Sequence, residues 1–434
     1  MSLFKQPRNK AFSTHSLLKK GFSVLLLRAS AALFTFVVTL YLARLLGTDG
    51  FGAFSLALTV IAILSMIGRL GLDSWILREI ASHHDSASSG FARKTIYPIF
   101  LLVIPFAILL LLTIIQTSSW ITTSIFDKPD VSLVLVTLSP LILFLTIGFI
   151  LGEAFKSINK PYLGTLLQNV AHPLFFLLAV FLASFVAELN LIRISTLYSF
   201  TSLILVLVSI HIWLKTTKPS HREDYESPVS ILKKSGPLLL ISSGGLLLSW
   251  TDTIVLGIFE TKASIGIYTV AIKTALATSL ILIAINTIVT PKFSLYFASK
   301  DIQNLKTAAK YSTRVGIIVA FIPTLILISA PKFVLSFFGE GFEQGAHLLV
   351  LFSLVQFFTI SCGPVGNLLL MTHNETILKS ITFISASINL LLSVILVQFY
   401  GITGVAIATI SGIVFYNMSC VYFVKKKLGF WMIG

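Results

Sequence analysis

The sequence predicts an all-α polytopic membrane protein, with twelve transmembrane helices in two pseudo-symmetric six-helix bundles around a central cavity. Hydrophobic residues make up 56% of the 434 residues, charged residues only 11%, and the mean hydropathy is +0.94. Charge-free runs such as 95–126 and 380–424 exceed the roughly 20 apolar residues that one membrane crossing needs. Because lipid cannot satisfy backbone hydrogen bonds, such runs indicate helices.

Turn-forming residues divide these runs into elements. Glycine, proline, asparagine and charge mark the breaks "LLGTDGFG", "FDKPD", "INKP", "FGEGFEQG" and "THNE", whereas "FYG" alone separates the last two helices. With ends accurate to a few residues, the predicted helices cover 19–44, 51–71, 95–117, 131–152, 161–185, 192–214, 232–257, 265–290, 312–331, 344–370, 377–398 and 402–424.

An internal repeat organises the helices into two halves. When the sequence is shifted by 214 positions, "LKK" at 18–20 meets "LKK" at 232–234, and Thr39 and Gly52 meet identical residues at 253 and 266. Six helices per half make the repeat parallel, and such twin bundles enclose a central site. The predicted units are 1–215, a cytoplasmic linker at 216–231, and 232–434.

The distribution of basic residues predicts orientation. With the N-terminus inside, the inner segments hold 25 lysines and arginines and the outer segments hold 5, out of 32. This bias follows the positive-inside rule and places both termini in the cytoplasm. It also accounts for most of the net charge of +15 through loops that touch anionic membrane lipids, so no nucleic-acid partner is expected.

Other function classes leave little trace in the sequence. Cys362 and Cys420 fall inside predicted helices, which argues against a disulfide framework or a metal site. Neither a phosphate-binding glycine loop nor a nucleophile elbow is present. The outer loops are too short to form a catalytic domain, so a polymerase or ligase is not expected and the protein is predicted not to be an enzyme.

Three charged residues lie deep within predicted helices, well away from the helix ends. Arg28 lies about 12 Å in from the cytoplasmic side, and Asp252 and Lys273 flank one outer turn at similar depth. A charge at mid-membrane costs at least about 2.5–3.5 kcal/mol, so it normally faces a cavity or a partner. Two hypotheses stay open. Either Asp252 and Lys273 form a structural ion pair, or Lys273 and Arg28 bind the substrate while Asp252 couples transport to an ion.

Charge is also concentrated in "RLGLDSWILREIA", residues 69–81. Arg69, Asp73, Arg78 and Glu79 lie at the predicted cytoplasmic mouth of the second helix, where a short interfacial helix would turn Trp75 and Ile76 to lipid. One reading is ordinary anchoring by snorkelling side chains. The other is a cytoplasmic gate, in which these charges pair when the mouth closes.

Several of these segments carry a family resemblance over essentially the whole chain. "RLGLDSWILREIA", "LARLLGTDGFGAFSLALTV", "KSINKPYLGTLLQNVAHPLFFLL" and "YGITGVAIATIS" resemble bacterial polysaccharide flippases, whose superfamily also holds multidrug extruders and the peptidoglycan lipid flippase. The resemblance implies that a polyprenyl-diphosphate-linked oligosaccharide, such as an O-antigen or capsule repeat unit, is flipped from the cytoplasmic to the periplasmic leaflet. His172 departs from the family pattern, in which arginine is expected before Pro173.

The alternative from the same superfamily is a cation antiporter for drugs and toxic compounds. A cation exporter needs acidic residues in its cavity, whereas Arg28 and Lys273 outnumber Asp252 here, which favours an anionic diphosphate. The resemblance further implies a monomer in the bacterial inner membrane and a polymerase of the same pathway as a partner. No cofactor is expected beyond coupling H⁺ or Na⁺.

Overall fold

The computed structural model describes residues 14–82, 89–217, 230–232, 235–236 and 250–432, and these residues form helices and turns without a β-strand. In the first half the helices are α1 Thr14–Gly68, α2 Leu72–Ser82, α3 Ser89–Trp120, α4 Val131–Leu138, α5 Leu141–Ser157, α6 Pro161–Thr165, α7 Ala171–Ala183 and α8 Leu191–Thr216. In the second half they are α9 Trp250–Phe259, α10 Lys262–Leu276, α11 Ser279–Ala298, α12 Ile302–Ser329, α13 Pro331–Ser336, α14 Ala346–Cys362, α15 Val365–Met371 and α16 Glu375–Leu428.

The all-helical membrane fold is confirmed. Within the described ranges, eight helices are long and apolar enough to span a membrane, or nine if the bent pair α4–α5 counts as one span. Two of them are far longer than one crossing: α1 has 55 residues, or about 80 Å of helix, against a hydrocarbon core of about 30 Å. The count of twelve spans stays a prediction, because residues 237–249 of the predicted seventh helix lie outside the described residues.

Two glycines divide the longest helices where the sequence predicts turns. Gly47 in α1 has φ 64° and Gly401 in α16 has φ 55°. Left-handed backbone is accessible to glycine because it has no Cβ, so the chain can reverse there without losing helix on either side. Each of these two helices therefore consists of two legs, as the breaks in "LLGTDGFG" and "FYG" predict.

Three predicted helices are broken in the structure. Pro140 separates α4 from α5 with a bend of 40°, because proline cannot donate a backbone hydrogen bond. Gly363, at φ 76°, and Pro364 separate α14 from α15. The predicted helix 265–290 ends at Leu276 and resumes at Ser279, although no glycine or proline marks that break.

The segment α2 corrects the sequence analysis. Trp75 and Ile76 are only 5% and 0% exposed, and they pack with Leu72 and Ile80 into the core of the first half rather than against lipid. The apolar face of this short helix meets α3 and α5, which contact it along its length. The expected interfacial helix is therefore part of the first bundle.

The two halves meet at the outer end, meaning the end where the sequence places the turns 47–49, 127–130 and 260–262. A Cβ built on Gly52 would lie 1.8 Å from the carbonyl oxygen of Lys262, and one on Gly266 would lie 2.2 Å from that of Thr48. We call this contact of 48–52 with 262–266 the outer seam. Only glycine permits such close approach of two backbones.

The outer seam supports the internal repeat. The 214-residue shift relates residue 48 to 262 and residue 52 to 266, so its two closest contacts are equivalents of each other. A two-fold axis produces this reciprocal pattern. One apolar core joins both halves around the seam, a second lies in the first half together with Ile231, and a third lies within the second half. The boundaries 1–215 and 232–434 stay predictions, because most of the linker lies outside the described residues.

Outer turns of one half reach the other half beside the seam. The Lys128 ammonium is buried and donates hydrogen bonds of 2.7 Å to the carbonyl oxygens of Phe126 and Gly257, and Lys262 forms an ion pair with Asp130. Lysine at the C-terminal end of α9 is favourable because unpaired carbonyls and the helix dipole meet there. The outer end is thus closed by contacts between the halves.

Candidate binding cavity

A cavity of about 970 Å³ lies between the two halves, on the inner side of the outer seam. Along α1 its lining extends from Phe51 to Ala62, about 16 Å towards the inner end. The first half contributes side chains from α1, α5, α7 and α8, and the second half contributes them from α9, α10, α14 and α16. Both bundles therefore shape one space within the depth of the membrane.

Lys273 faces this cavity from α10. Its ammonium lies 5.8 Å from the centroid of the Phe51 ring, which belongs to the other half, and the side chain is exposed to the cavity. The described residues place no carboxylate within ion-pair distance of it. Because the observed partner of the Lys273 ammonium is the neutral ring of Phe51, its positive charge stays available to a negatively charged ligand.

Asp252 lies in a cage of neutral hydrogen-bond donors. Its Oδ2 accepts from the Tyr268 hydroxyl at 2.7 Å and from the Thr409 hydroxyl at 2.8 Å, and its Oδ1 accepts from the Asn389 amide at 3.3 Å. Ser393 in turn donates to Asn389 Oδ1. Asp252 is 4% exposed, in the cavity lining, and its donors come from α10 and α16 of the second half. These bonds lower the cost of burying a carboxylate.

The structure does not bring Asp252 and Lys273 together as an ion pair. Both residues line the cavity. Their observed contacts differ, however, since hydroxyls and an amide surround Asp252 whereas an aromatic ring lies beside Lys273. The arrangement favours separate roles over a structural pair.

Arg28 lies on α1 towards the inner end and is exposed. It is outside the set of residues that line the cavity, but it precedes the lining residues Thr35, Thr39 and Leu42 by 7, 11 and 14 positions. Those intervals return to nearly the same face of a helix. Arg28 therefore lies about 10 Å below the lining of α1, on the line that leads into the cavity.

The predicted gate residues fall in the first half. Arg69 is buried, lies 3.4 Å from Asp73 and stacks 4.4 Å from the ring centroid of Phe149, which lines the cavity. Arg69 lies in the turn between α1 and α2, and Asp73 lies in the first turn of α2, so this pair is a local contact within one half rather than a contact between the two sides of a mouth. Glu79 is partly buried on α2. The side chain of Arg78 lies outside the described residues.

A second polar network adjoins Arg69 and was not predicted. The Lys156 ammonium binds Glu153 Oε1 and Gln168 Oε1, both at 2.6 Å, and Gln168 reaches the cavity lining. The i, i+3 spacing of Glu153 and Lys156 was a visible signal for their pairing. Nothing in the sequence joined them to Gln168, which is on another helix.

Polar residues inside other helices form contacts between helices. His172 Nε2 lies 2.7 Å from Ser202 Oγ, and the His172 ring packs against Phe176 and Tyr198. All three rings also line the cavity on the side of the first half. Gln356 and Asn417 line the opposite side, and the sequence analysis did not single them out.

Comparison with known proteins supports this architecture. Residues 17–297 match the model of a family described as polysaccharide biosynthesis protein. The probable low-salt glycan biosynthesis flippase Agl15 of Haloferax volcanii is 26% identical over 194 residues, which is 44% of this chain; the chain spans only 40% of that relative.

Solved structures share the fold at low sequence identity. The lipid II flippase MurJ, in an inward closed conformation, superposes with a TM-score of 0.75 at 15% identity, over 91% of this chain and 86% of its own. The multidrug transporter DinF-BH gives 0.66 at 14% identity, over 98% of both chains. The family match over residues 17–297 covers more than half of the chain and includes Asp252 and Lys273, so this chain belongs to the polysaccharide biosynthesis protein family.

Proposed function

We propose that this protein flips a polyprenyl-diphosphate-linked oligosaccharide from the cytoplasmic to the periplasmic leaflet of a bacterial inner membrane. The cargo would be an O-antigen, a capsule unit or a similar repeat unit. Membership in the polysaccharide biosynthesis protein family and the named flippase activities of Agl15 and MurJ support this proposal. Transport rather than catalysis is the activity assigned, in line with those relatives.

One observation carries the proposal: Lys273 faces a cavity between the two halves with no ion-pair partner among the described residues. An uncompensated cation at that depth is costly unless a ligand supplies the negative charge. A diphosphate does so. Arg28, on the same line along α1, would meet the diphosphate first as it enters from the inner leaflet.

Alternating access is the mechanism we propose. The outer seam and the contacts of Lys128 and Lys262 close the outer end, while the cavity lies on the inner side of them. Rocking of the two halves about this region would open the outer end after the cargo is loaded. Arg69, Asp73, Arg78 and Glu79 are proposed to act at the inner mouth, as the cytoplasmic gate.

Asp252 is proposed to couple the cycle to H⁺ or Na⁺. Its carboxylate is buried, lines the cavity and is held by side chains of α10 and α16 together with its own helix α9. Binding of H⁺ or Na⁺ removes the negative charge of this carboxylate. Because the carboxylate links α9 to α10 and α16, loss of its charge would weaken every hydrogen bond in the cage and change the contacts of all three helices.

Lipids and a polymerase of the same pathway are further proposed partners, and a monomer is the proposed state.

A second candidate is a cation antiporter for toxic compounds, which the Asp252 carboxylate in the cavity and the multidrug structural relatives favour. Three donors already engage that carboxylate, so it is poorly available to an organic cation. Expression in a drug-sensitive host separates the two activities, because a flippase confers no resistance.

The test of the main proposal is deletion of the gene in its host. We expect lipid-linked repeat units to accumulate on the cytoplasmic face of the membrane and surface polysaccharide to be lost. Mass spectrometry of extracted lipids and labelling of surface glycans measure the two effects. Unchanged surface polysaccharide in the deletion strain would refute the proposal.

A further inference from the structure

One wall of the cavity is polar but carries no charged residue among its described lining. It is formed by α14 and α16, and we call it the amide wall; it comprises Gln356, Thr359, Thr382, Ser385 and Asn417. The wall is continuous, because the Asn417 amide donates to Thr359 Oγ1 at 3.2 Å. A Cβ on Gly412 would lie 3.1 Å from the carbonyl oxygen of Ser385, so the two legs of α16 are also packed closely.

Two amides of this wall have unused hydrogen-bonding capacity. Gln356 is only 7% exposed, and within the described part of the chain it forms no hydrogen bond. Asn417 is 3% exposed; its Nδ2 donates to Thr359 and to the Ile413 carbonyl, whereas its Oδ1 accepts no hydrogen bond from a described residue. Unsatisfied polar groups at membrane depth cost free energy. Groups of this kind that face a cavity are suited to a ligand that can pair with them.

The hydroxyls of the wall decide which ligand fits. Thr359, Thr382 and Ser385 each donate their proton to a backbone carbonyl of their own helix, at 2.9, 2.9 and 2.8 Å. Their oxygens therefore keep acceptor capacity but no free proton, and Asn417 Oδ1 is likewise an acceptor. A phosphate offers only acceptors and would find few partners here, whereas a sugar hydroxyl can donate to these oxygens and accept from Gln356.

We infer that the amide wall is a glycan subsite, which binds the uncharged, hydroxyl-rich sugars of the cargo. This inference rests on the proposed function and divides the cavity by chemistry. Lys273, which lies against Phe51 of the first half, holds the phosphate groups, and the amide wall holds the sugars. The subsite belongs entirely to the second half, so the sugars move with that half when the bundles rock.

The experiment compares two probes on purified protein in lipid nanodiscs, without sugar-based detergents. One probe is synthetic polyprenyl diphosphate, which has no sugar, and the other is the lipid-linked oligosaccharide extracted from the deletion strain. Affinity is measured by the change in tryptophan fluorescence, to which Trp250 in the cavity lining contributes. The variant is Gln356→Met, and the matched control is Gln398→Met, on the exposed surface outside the cavity lining.

We expect Gln356→Met to weaken binding of the sugar-bearing probe about ten-fold, the equivalent of about one hydrogen bond, and to leave the sugar-free probe unaffected. Because Gln356 forms no hydrogen bond with the described residues, the variant leaves no orphaned partner and should fold normally. Lys273→Gln should weaken both probes alike, and Gln398→Met neither.

Failure of the glycan subsite and failure of the proposed function give different results. If the deletion strain accumulates no lipid-linked oligosaccharide, or the native protein binds neither probe, the proposed function itself fails. If the native protein binds both probes but Gln356→Met leaves their affinity ratio unchanged, the flippase proposal stands and the glycan subsite is overturned.

Discussion

At the scale of single residues, Asp252 and Lys273 are the charges whose surroundings matter most. A structural pair would make each residue dependent on the other, because removal of one partner strands a charge in the membrane. The observed contacts instead attach Asp252 to Tyr268, Asn389 and Thr409 and leave Lys273 beside Phe51. We therefore propose that the two residues have independent roles.

We therefore expect Asp252→Asn and Lys273→Gln each to lower surface polysaccharide at least ten-fold, because about ten-fold is the effect of losing one charged contact. The abundance of each variant in the membrane should stay within about two-fold of native. The double variant should transport no better than either single variant, since the two side chains do not share a bond. Surface labelling and immunoblots of the membrane fraction, side by side for all three variants, measure this. Recovery of transport in the double variant would show that the residues are a structural pair.

Arg28 is the second proposed contact of the diphosphate. We expect Arg28→Ala to abolish surface polysaccharide without loss of protein from the membrane, because the side chain is exposed. Arg28→Lys should restore only part of the activity, since lysine keeps the charge but not the planar pair of donors that grips a phosphate. Full activity of the alanine variant would remove Arg28 from the site.

At the scale of elements, the outer seam is the contact on which closure of the outer end depends. Backbone meets backbone there, so neither α1 nor α10 can yield by moving a flexible side chain. Interlocking backbones transmit a small displacement to whole helices, because packed cores deform little. A single methyl group at the seam should therefore move the halves apart.

We expect Gly52→Ala to disfavour the outer-closed state by about 1–3 kcal/mol, an approximately 5- to 150-fold shift in population. The measurement is the yield of a disulfide between Asp130→Cys and Lys262→Cys, whose native side chains form an ion pair, and Gly52→Ala should lower this yield. The native cysteines Cys362 and Cys420 are both buried, so we expect them not to compete in the crosslinking.

The control for the seam is a glycine in an ordinary helical contact. A Cβ on Gly148 would lie 3.9 Å from Val206 Cγ2, so Gly148→Ala should leave the crosslinking yield at the native level. Gly266→Ala should reproduce the effect of Gly52→Ala, because the repeat makes the two positions equivalent. Equal yields in all four proteins would show that the seam is not required for closure.

At the scale of the whole molecule, orientation in the membrane is the property that all the proposals share. Fusion reporters placed after Lys20, Lys218 and Lys427 should report cytoplasm, and those placed near 127, 188 and 340 should report periplasm. The physical reason is the excess of basic residues in the inner segments. A reporter of opposite sense at Lys427 would mean an odd number of crossings and would contradict the parallel repeat.

The sequence by itself determined the membrane fold, the main turns and the repeat. Helix length and hydropathy are local properties, and glycines such as Gly47 and Gly401 impose turns through their own backbone freedom. The depth of a residue in the membrane can also be estimated from its distance in sequence to the nearest turn, because the rise per residue of a helix is constant. That is why Asp252 and Lys273 were expected at similar depth, and why both are found in one cavity.

Only the tertiary structure decided what each side chain touches. Rotation of a helix and the identity of its neighbour depend on packing across long sequence separations, as the bonds from Asp252 to Asn389 and Thr409 illustrate. Packing likewise buried Trp75 in the first bundle, although its sequence surroundings are those of an interfacial helix. The amide wall is a further case, because Gln356 of α14 and Asn417 of α16 belong to one wall only when these two helices pack side by side, as the bond from Asn417 to Thr359 shows.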